Sequence, residues 1–146
     1  MSDLTQLEDI VMIGYPNGLW DSKNNMPIFR RGVTASHPRF DWNGRKEFLI
    51  DAACFPGSSG SPVLLYNEGS YPRKSGGIAL GSRLYLLGIL YAGPQHTVTG
   101  EIEIVPIQTI RKAVSIATIP NNLGMVIKSS ELHVLDRKFA AMNQTL

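Results

Sequence analysis

The chain has 146 residues, room for a single domain, since domains commonly hold roughly 100 to 150 residues. Lys and Arg total 14 against 12 Asp and Glu, a net charge of +2, which is too weak a field to gather a phosphate backbone and argues against nucleic acid as a partner. Hydrophobic residues make up 43% and charged ones 18%, enough for a packed core, and Gly (14) with Pro (9) implies many turns.

Taken in chain order, Met1 to Ile10 carries Asp3, Glu8 and Asp9, the opposite of the basic start and apolar core of a secretory signal, so the expected compartment is the cytoplasm by default. Val11–Tyr15 is an apolar run closed by Pro16-Asn17-Gly18 and predicts a buried strand and a turn. Asp21–Pro27 reads as a loop, Ile28–Ser36 as a second strand with Arg30 and Arg31 as a solvated strand end, and His37-Pro38 as its stop. Asp41-Trp42-Asn43-Gly44 has turn chemistry, with Trp42, like Trp20, expected to pack beside a loop. Glu47–Ala53 predicts a third strand leading into Phe55–Pro62, a loop of Gly, Ser and Pro.

Val63–Tyr66 and Arg83–Tyr91 predict two further strands joined by a polar connection over Glu68–Gly77. The stretch Ile78–Gly93 is broken by Arg83 and by glycines, well short of the ~20 apolar residues of a membrane helix, so no membrane partner is expected. Gly93–His96 reads as a turn and Glu101–Pro106 as a short strand; Ile107, Ile110, Ala113 and Val114 then fit one face of a short helix. Leu123–Lys128 predicts a late strand, and Ser129 or Ser130 could cap a last helix from Glu131 to about Phe139. Six or seven short strands with helix confined to the end predict a mainly β fold, an antiparallel barrel with short C-terminal helices. The single cysteine, Cys54, excludes an internal disulfide and a Cys-based zinc cluster. The histidines and carboxylates show no ligand spacing, so no metal or organic cofactor is implied.

The chemistry concentrates in Pro56-Gly57-Ser58-Ser59-Gly60-Ser61-Pro62. A hydroxyl between glycines could attack an acyl group if backbone N–H groups turn toward the developing oxyanion, and glycine permits the conformations this needs; Gly57 and Ser59 could supply those donors. By its residues alone the run is equally the composition of a surface turn. Its flanks go further. Asp51-Ala52-Ala53-Cys54-Phe55-Pro56-Gly57-Ser58-Ser59-Gly60-Ser61-Pro62-Val63 resembles the nucleophile segment of trypsin-like serine peptidases, closest to the Deg/Do-like branch. Ile13-Gly14-Tyr15-Pro16-Asn17-Gly18-Leu19 and Arg31-Gly32-Val33-Thr34-Ala35-Ser36 resemble two further family segments in the same order. Leu87-Gly88-Ile89 and Val105-Pro106-Ile107 fall where the family has a substrate-pairing strand and a closing strand.

The resemblance implies the C-terminal barrel of the chymotrypsin-like double barrel over residues 11–117, with 118–146 as an extension of a single domain. It makes Ser59 the nucleophile of an endopeptidase acting through an acyl-enzyme, Gly57 an oxyanion donor, and Asp51 a structural residue. The pocket for the residue before the scissile bond would lie between Ala53 and Cys54, at its floor, and the strand Gly88, Ile89, Leu90 and Tyr91. With no Asp at that floor, a small or aliphatic residue is expected there. Two departures stand out: Ser58 replaces the aspartate that many zymogen-type members pair with a freed amine, and Ser61 replaces a second glycine.

A serine hydroxyl needs a base within hydrogen-bond reach and a carboxylate to orient it. In the family both precede the strand that matches Val11–Tyr15, and no histidine lies ahead of it here. Of the three histidines, His37, 22 residues before Ser59 in a Ser-His-Pro turn, is the first alternative base but reads as an exposed loop residue, and His96 and His133 sit at positions without a counterpart in the family's site. Cys54 reads as a buried small hydrophobe rather than a nucleophile. Two expectations follow. The chain is the serine-bearing half of a peptidase, inactive alone, whose partners are a protein or peptide substrate and the missing N-terminal barrel; or it is a half-barrel that binds extended peptide on the strand near Gly88–Tyr91 without cleaving it. The first is preferred because the nucleophile loop and both oxyanion positions are intact.

Overall fold

The computed structural model describes residues 4–101 and 114–143. Its strands are β1 (Asp9–Gly14), β2 (Ile28–Thr34), β3 (Glu47–Asp51), β4 (Pro62–Asn67), β5 (Ser70–Pro72), β6 (Ile78–Leu80), β7 (Arg83–Ala92), β8 (Gln95–Glu101), β9 (Val114–Pro120) and β10 (Leu123–Lys128), followed by the helix α1 (Leu132–Asn143). Alternation of apolar and polar residues creates most of them: β3 buries Phe48 and Ile50, β4 buries Val63, Leu65 and Asn67, and β1 buries Ile10 and Met12. Each fully buried aliphatic or aromatic side chain contributes roughly 1.5–3 kcal/mol.

Six strands close on themselves in the order β1-β2-β3-β10-β7-β4, every neighbour antiparallel. The mainly β antiparallel barrel expected from the sequence is therefore the observed architecture. Strands β1 to β3 follow one another as a meander, whereas β4, β7 and β10 are separated in the chain by the hairpins β5–β6 and β8–β9. A bulge opposite Val63 and Leu64 puts Leu87 out of step, so that both Leu87 and Leu90 face the core.

The register defines two ends. One carries Gly14, Ile28, Pro62, Ala92 and Leu123; the other carries Asp9, Thr34, Asn67, Arg83 and Lys128. The second end is plugged by the N-terminal segment, where buried Leu4 joins the core and Glu8 meets Arg83 at 2.6 Å with side chains only 1% and 6% exposed. Arg83 Nε also donates to Asn67 Oδ1 at 2.8 Å, its guanidinium lies 4.1 Å from the Tyr71 ring centroid, and Glu8 Oε1 accepts from the Thr5 hydroxyl at 2.9 Å. Thr34 closes the network, accepting from the Glu8 N–H at 2.9 Å and donating to Gln6 O at 2.7 Å.

Several sequence expectations are corrected. The barrel does not stop at residue 117: β10 pairs with both β3 and β7, so closure requires residues up to Lys128. The polar connection Glu68–Gly77 contains β5, and His96 belongs to β8 rather than a turn. Val114 opens β9 instead of closing a helix, and the rest of the helix expected from Ile107 lies outside the described residues, as do residues 102–106 of the strand expected from Glu101. The last helix begins at Leu132, after a 3-10 turn over Ser129–Glu131, and no side chain caps that turn. Trp20 and Trp42 are exposed rather than packed, and Arg30 is not a solvated strand end.

Candidate active site around Ser59

Two consecutive turns form the loop after β3. In Phe55-Pro56-Gly57-Ser58 the Ser58 N–H donates to Phe55 O at 3.0 Å, with Gly57 at φ +84°. In Ser58-Ser59-Gly60-Ser61 the Ser61 N–H donates to Ser58 O at 3.2 Å, with Gly60 at φ +89°. Both glycines occupy the third turn position, where a positive φ excludes most side chains, and Pro56 occupies the second position that its fixed φ favours. The glycine spacing is thus dictated by two corners, with Ser59 between them and exposed.

The loop is held from three sides. Asn17 N donates to Pro56 O at 2.7 Å, Gly60 N to Leu90 O at 2.7 Å, and Leu90 N to Ser61 O at 2.9 Å. Arg30 Nη1 donates to Ala53 O, and its guanidinium lies 4.8 Å from the Phe55 ring centroid. Ser61, in place of a glycine, packs its hydroxyl where a Cβ on Gly14 would sit, so the extra atoms are accommodated by a glycine on β1.

Ser59 Oγ donates to Tyr91 O at 3.1 Å. Among the described residues the N–H groups of Gly57 and Ser59 have no acceptor, whereas those of Ser58, Gly60 and Ser61 are all used. A cavity of about 120 Å³ opens beside Ser59, between Cys54, Phe55 and Pro56 on one wall and Leu90, Ala92 and Gly93 on the other. No ionisable carboxylate or amine lines it. Burial pushes the Cys54 thiol up to about 11, against a smaller opposing pull from Arg30, so the thiol is protonated near neutrality and is a neutral wall rather than a nucleophile. The Ser58 hydroxyl is buried and has no partner among the described residues.

The structure places the sequence-predicted residues unevenly. Cys54 and Leu90 line the cavity with Ser59, but Ala53 does not; its carbonyl is taken by Arg30. Gly88 and Ile89 are paired on both sides, with β4 at Val63 and Pro62 and with β10 at Lys128 and Ile127, so neither can receive an added strand. The backbone that faces Ser59 with no strand on that side begins at Tyr91 and runs to Gly93. The Tyr91 phenol turns away to Glu47, 2.9 Å distant. Asp51 sits at the end of β3, its backbone in register with Val33 and Leu123 and its side chain exposed.

His37 follows Thr34 at the opposite end of the barrel, where its Nδ1 accepts from Arg39 N at 3.2 Å and its ring packs 4.7 Å from Phe40. Burial lowers its pKa first, with Lys74 and Arg39 adding to the effect. His133 is exposed on α1, 3.7 Å from Asp136. Among the described side chains, which do not include that of His96, no imidazole reaches the Ser59 end. Sequence reasoning missed Arg30 and the Ala92–Gly93 wall. The signal for Arg30 was present: period two puts it on the face of β2 that also carries buried Thr34.

No protein-family model matches the chain, and no curated protein or solved structure matches it.

Proposed function

We propose that this barrel is the serine-bearing half of a trypsin-like serine endopeptidase, with Ser59 as nucleophile and its base supplied from beyond the side chains described here. The observation that carries the reading is the loop itself: an exposed hydroxyl between two glycine corners, with the unengaged N–H groups of Gly57 and Ser59 beside it and an uncharged cavity next to it. A peptide laid antiparallel on Tyr91–Gly93 would present its carbonyl carbon to Ser59 Oγ. As the C–O bond forms, the hydroxyl proton passes to the base and the carbonyl oxygen, now an anion, is held by Gly57 N–H and Ser59 N–H. The C–N bond then breaks, the base returns the proton to the leaving amine, and water hydrolyses the acyl-serine by the same steps. The cavity's size and neutral walls fit a small, uncharged side chain before the scissile bond.

The Tyr91 carbonyl holds the hydroxyl but is not a base, so the described side chains alone leave Ser59 without activation. A fluorophosphonate probe tests this. The chain should label negligibly by itself, and imidazole added as a surrogate base should accelerate labelling at Ser59 by ~10-fold or more, with no labelling of Ser59→Ala. Failure of imidazole to promote any labelling of Ser59, or labelling that falls on another residue, would sink the catalytic reading; strong labelling of Ser59 without imidazole would put the base within this chain. The lack of an imidazole at the Ser59 end among the described side chains favours a second reading, a half-barrel that holds extended peptide on Tyr91–Gly93 without cutting it; saturable peptide binding without imidazole-dependent labelling would select it.

A further inference from the structure

The barrel end opposite Ser59 holds a second cavity, of about 360 Å³. Its inner wall is apolar, formed by buried Leu4, Pro38 and Leu87. Its mouth carries Arg39, Lys128 and His133, and no carboxylate lines it. The Arg39 guanidinium has no acceptor among the described residues. Lys128 Nζ donates to Asp41 at 2.6 Å and to Arg39 O at 3.1 Å, and Asp41 is shared with Lys46 at 2.9 Å, so the Arg39 guanidinium is the cation at the mouth that no carboxylate among the described residues engages. Ser129 and Ser130 also line the cavity, and neither hydroxyl caps the 3-10 turn that they begin.

An apolar interior with a cationic, hydroxyl-bearing mouth selects an anion on an apolar stem. Bare phosphate would leave the apolar wall unfilled. At the small end of the ~300–1,000 Å³ range of ligand cavities, the volume fits one residue, and the planar fork of an arginine matches a carboxylate. We propose that this cavity binds the C-terminal residue of a polypeptide, its apolar side chain against Leu4, Pro38 and Leu87 and its carboxylate on Arg39 and Ser130. Beside this mouth, burial is the first cause that lowers the His37 pKa; Lys74, Arg39 and Lys128 add to it and Glu8 opposes it. The site is separate from Ser59 and stands whether or not the barrel serves a peptidase.

The test is titration of the full chain, followed through backbone amide shifts, with acetyl-Gly-Gly-Leu carrying a free carboxylate, the same peptide as its amide, and octanoate. The acid should saturate with Kd of about 1–10 mM, shifting Leu4, Leu87 and Ser130. The amide should bind ~10-fold or more weaker, because a charge-assisted hydrogen bond is lost. Arg39→Gln, at an exposed position, should weaken the acid to the level of the amide, and Ser130→Glu should abolish acid binding by placing a negative charge at the mouth. Equal binding of acid and amide, shifts confined to the Ser59 end, no saturation, or indifference to Arg39→Gln would overturn the proposal. Octanoate binding tenfold more tightly than the peptide acid would overturn the polypeptide source in favour of a free amphipathic acid.

Discussion

Replacing Glu8 by Gln removes one charge from the pair that plugs the barrel end. The partner, Arg83, is 6% exposed and cannot recover water, and its remaining contacts are Asn67 Oδ1 and the Tyr71 ring. Leaving a buried charge without its counterion typically costs about 3–5 kcal/mol. The glutamine keeps an acceptor for the Thr5 hydroxyl, which places the expected loss near the lower bound, about 3 kcal/mol. For a chain of this size each kcal/mol lowers the melting temperature by about 2–4 °C, so the expected fall is roughly 6–12 °C. Thermal unfolding followed by circular dichroism measures it, and the loss should persist in high salt because buried pairs are poorly screened. A companion variant, Glu8→Gln with Arg83→Met, should lose less than the sum of the two single changes, by about 0.5–3 kcal/mol. A fall below ~2 °C for the single variant, or strict additivity in the double, would refute the view that the pair is a coupled, desolvated unit.

The other expectations are smaller. Gly57→Ala and Gly60→Ala each force a side chain into a positive φ, costing about 1–2 kcal/mol, and Gly57→Ala should lose more because its Cβ would lie 3.0 Å from Tyr15 O whereas that of Gly60 meets open space; equal losses in urea unfolding would contradict the geometry. Cys54, its thiol raised to about 11 from 9.0, should react with iodoacetamide at pH 8 about 100-fold more slowly than an unperturbed thiol. The same shift means that the folded state keeps a proton the unfolded chain gives up, so Cys54 makes stability fall as pH rises from about 9 toward 11; the fall over that range should be shallower in Cys54→Ala than in the parent chain, and equal slopes would contradict the shift. His37 should titrate below 6.5 by proton NMR, and Arg39→Gln should move its midpoint upward by removing a cation. With a depressed folded pKa, His37 makes stability rise with pH through that window and fall as acid protonates it. A midpoint at or above 6.5 would contradict the burial of the ring and the placement of its cationic neighbours.

How much was legible depends on whether the signal was local. Strands with one buried face announced themselves by alternation, as in Phe48 and Ile50 or Val63 and Leu65, and the two corners of the Ser59 loop were readable because only glycine accommodates their backbone. Glu8 was not. In the sequence it is one of three acids near the N-terminus, and its partner Arg83, 75 residues away, looked like an interruption in an apolar run. No local pattern joins them; only barrel closure does. The placement of the uncovered edge slipped for a related reason: Gly88-Ile89 and Tyr91-Ala92 lie on one strand, and which part is covered is decided by where β4 and β10 end. In β9 the β-branched Val114, Ile116, Thr118 and Ile119 carried a strand signal that the apolar spacing from Ile107 to Val114 obscured.

The position of β10 as the final stave has a consequence for biosynthesis. Leu123–Lys128 pairs with β3 on one side and β7 on the other, so until those residues leave the ribosome two strand edges stand open with unpaired donors and acceptors. At about 5–20 residues per second the interval between the completion of β7 and that of β10 lasts on the order of 2–7 s. During that time the nascent chain is a curved open sheet rather than a barrel, vulnerable to edge-to-edge association. Shortening by one strand, a change of few residues, would make that transient state permanent, so aggregation propensity should change far more steeply with length across residues 123–128 than across α1.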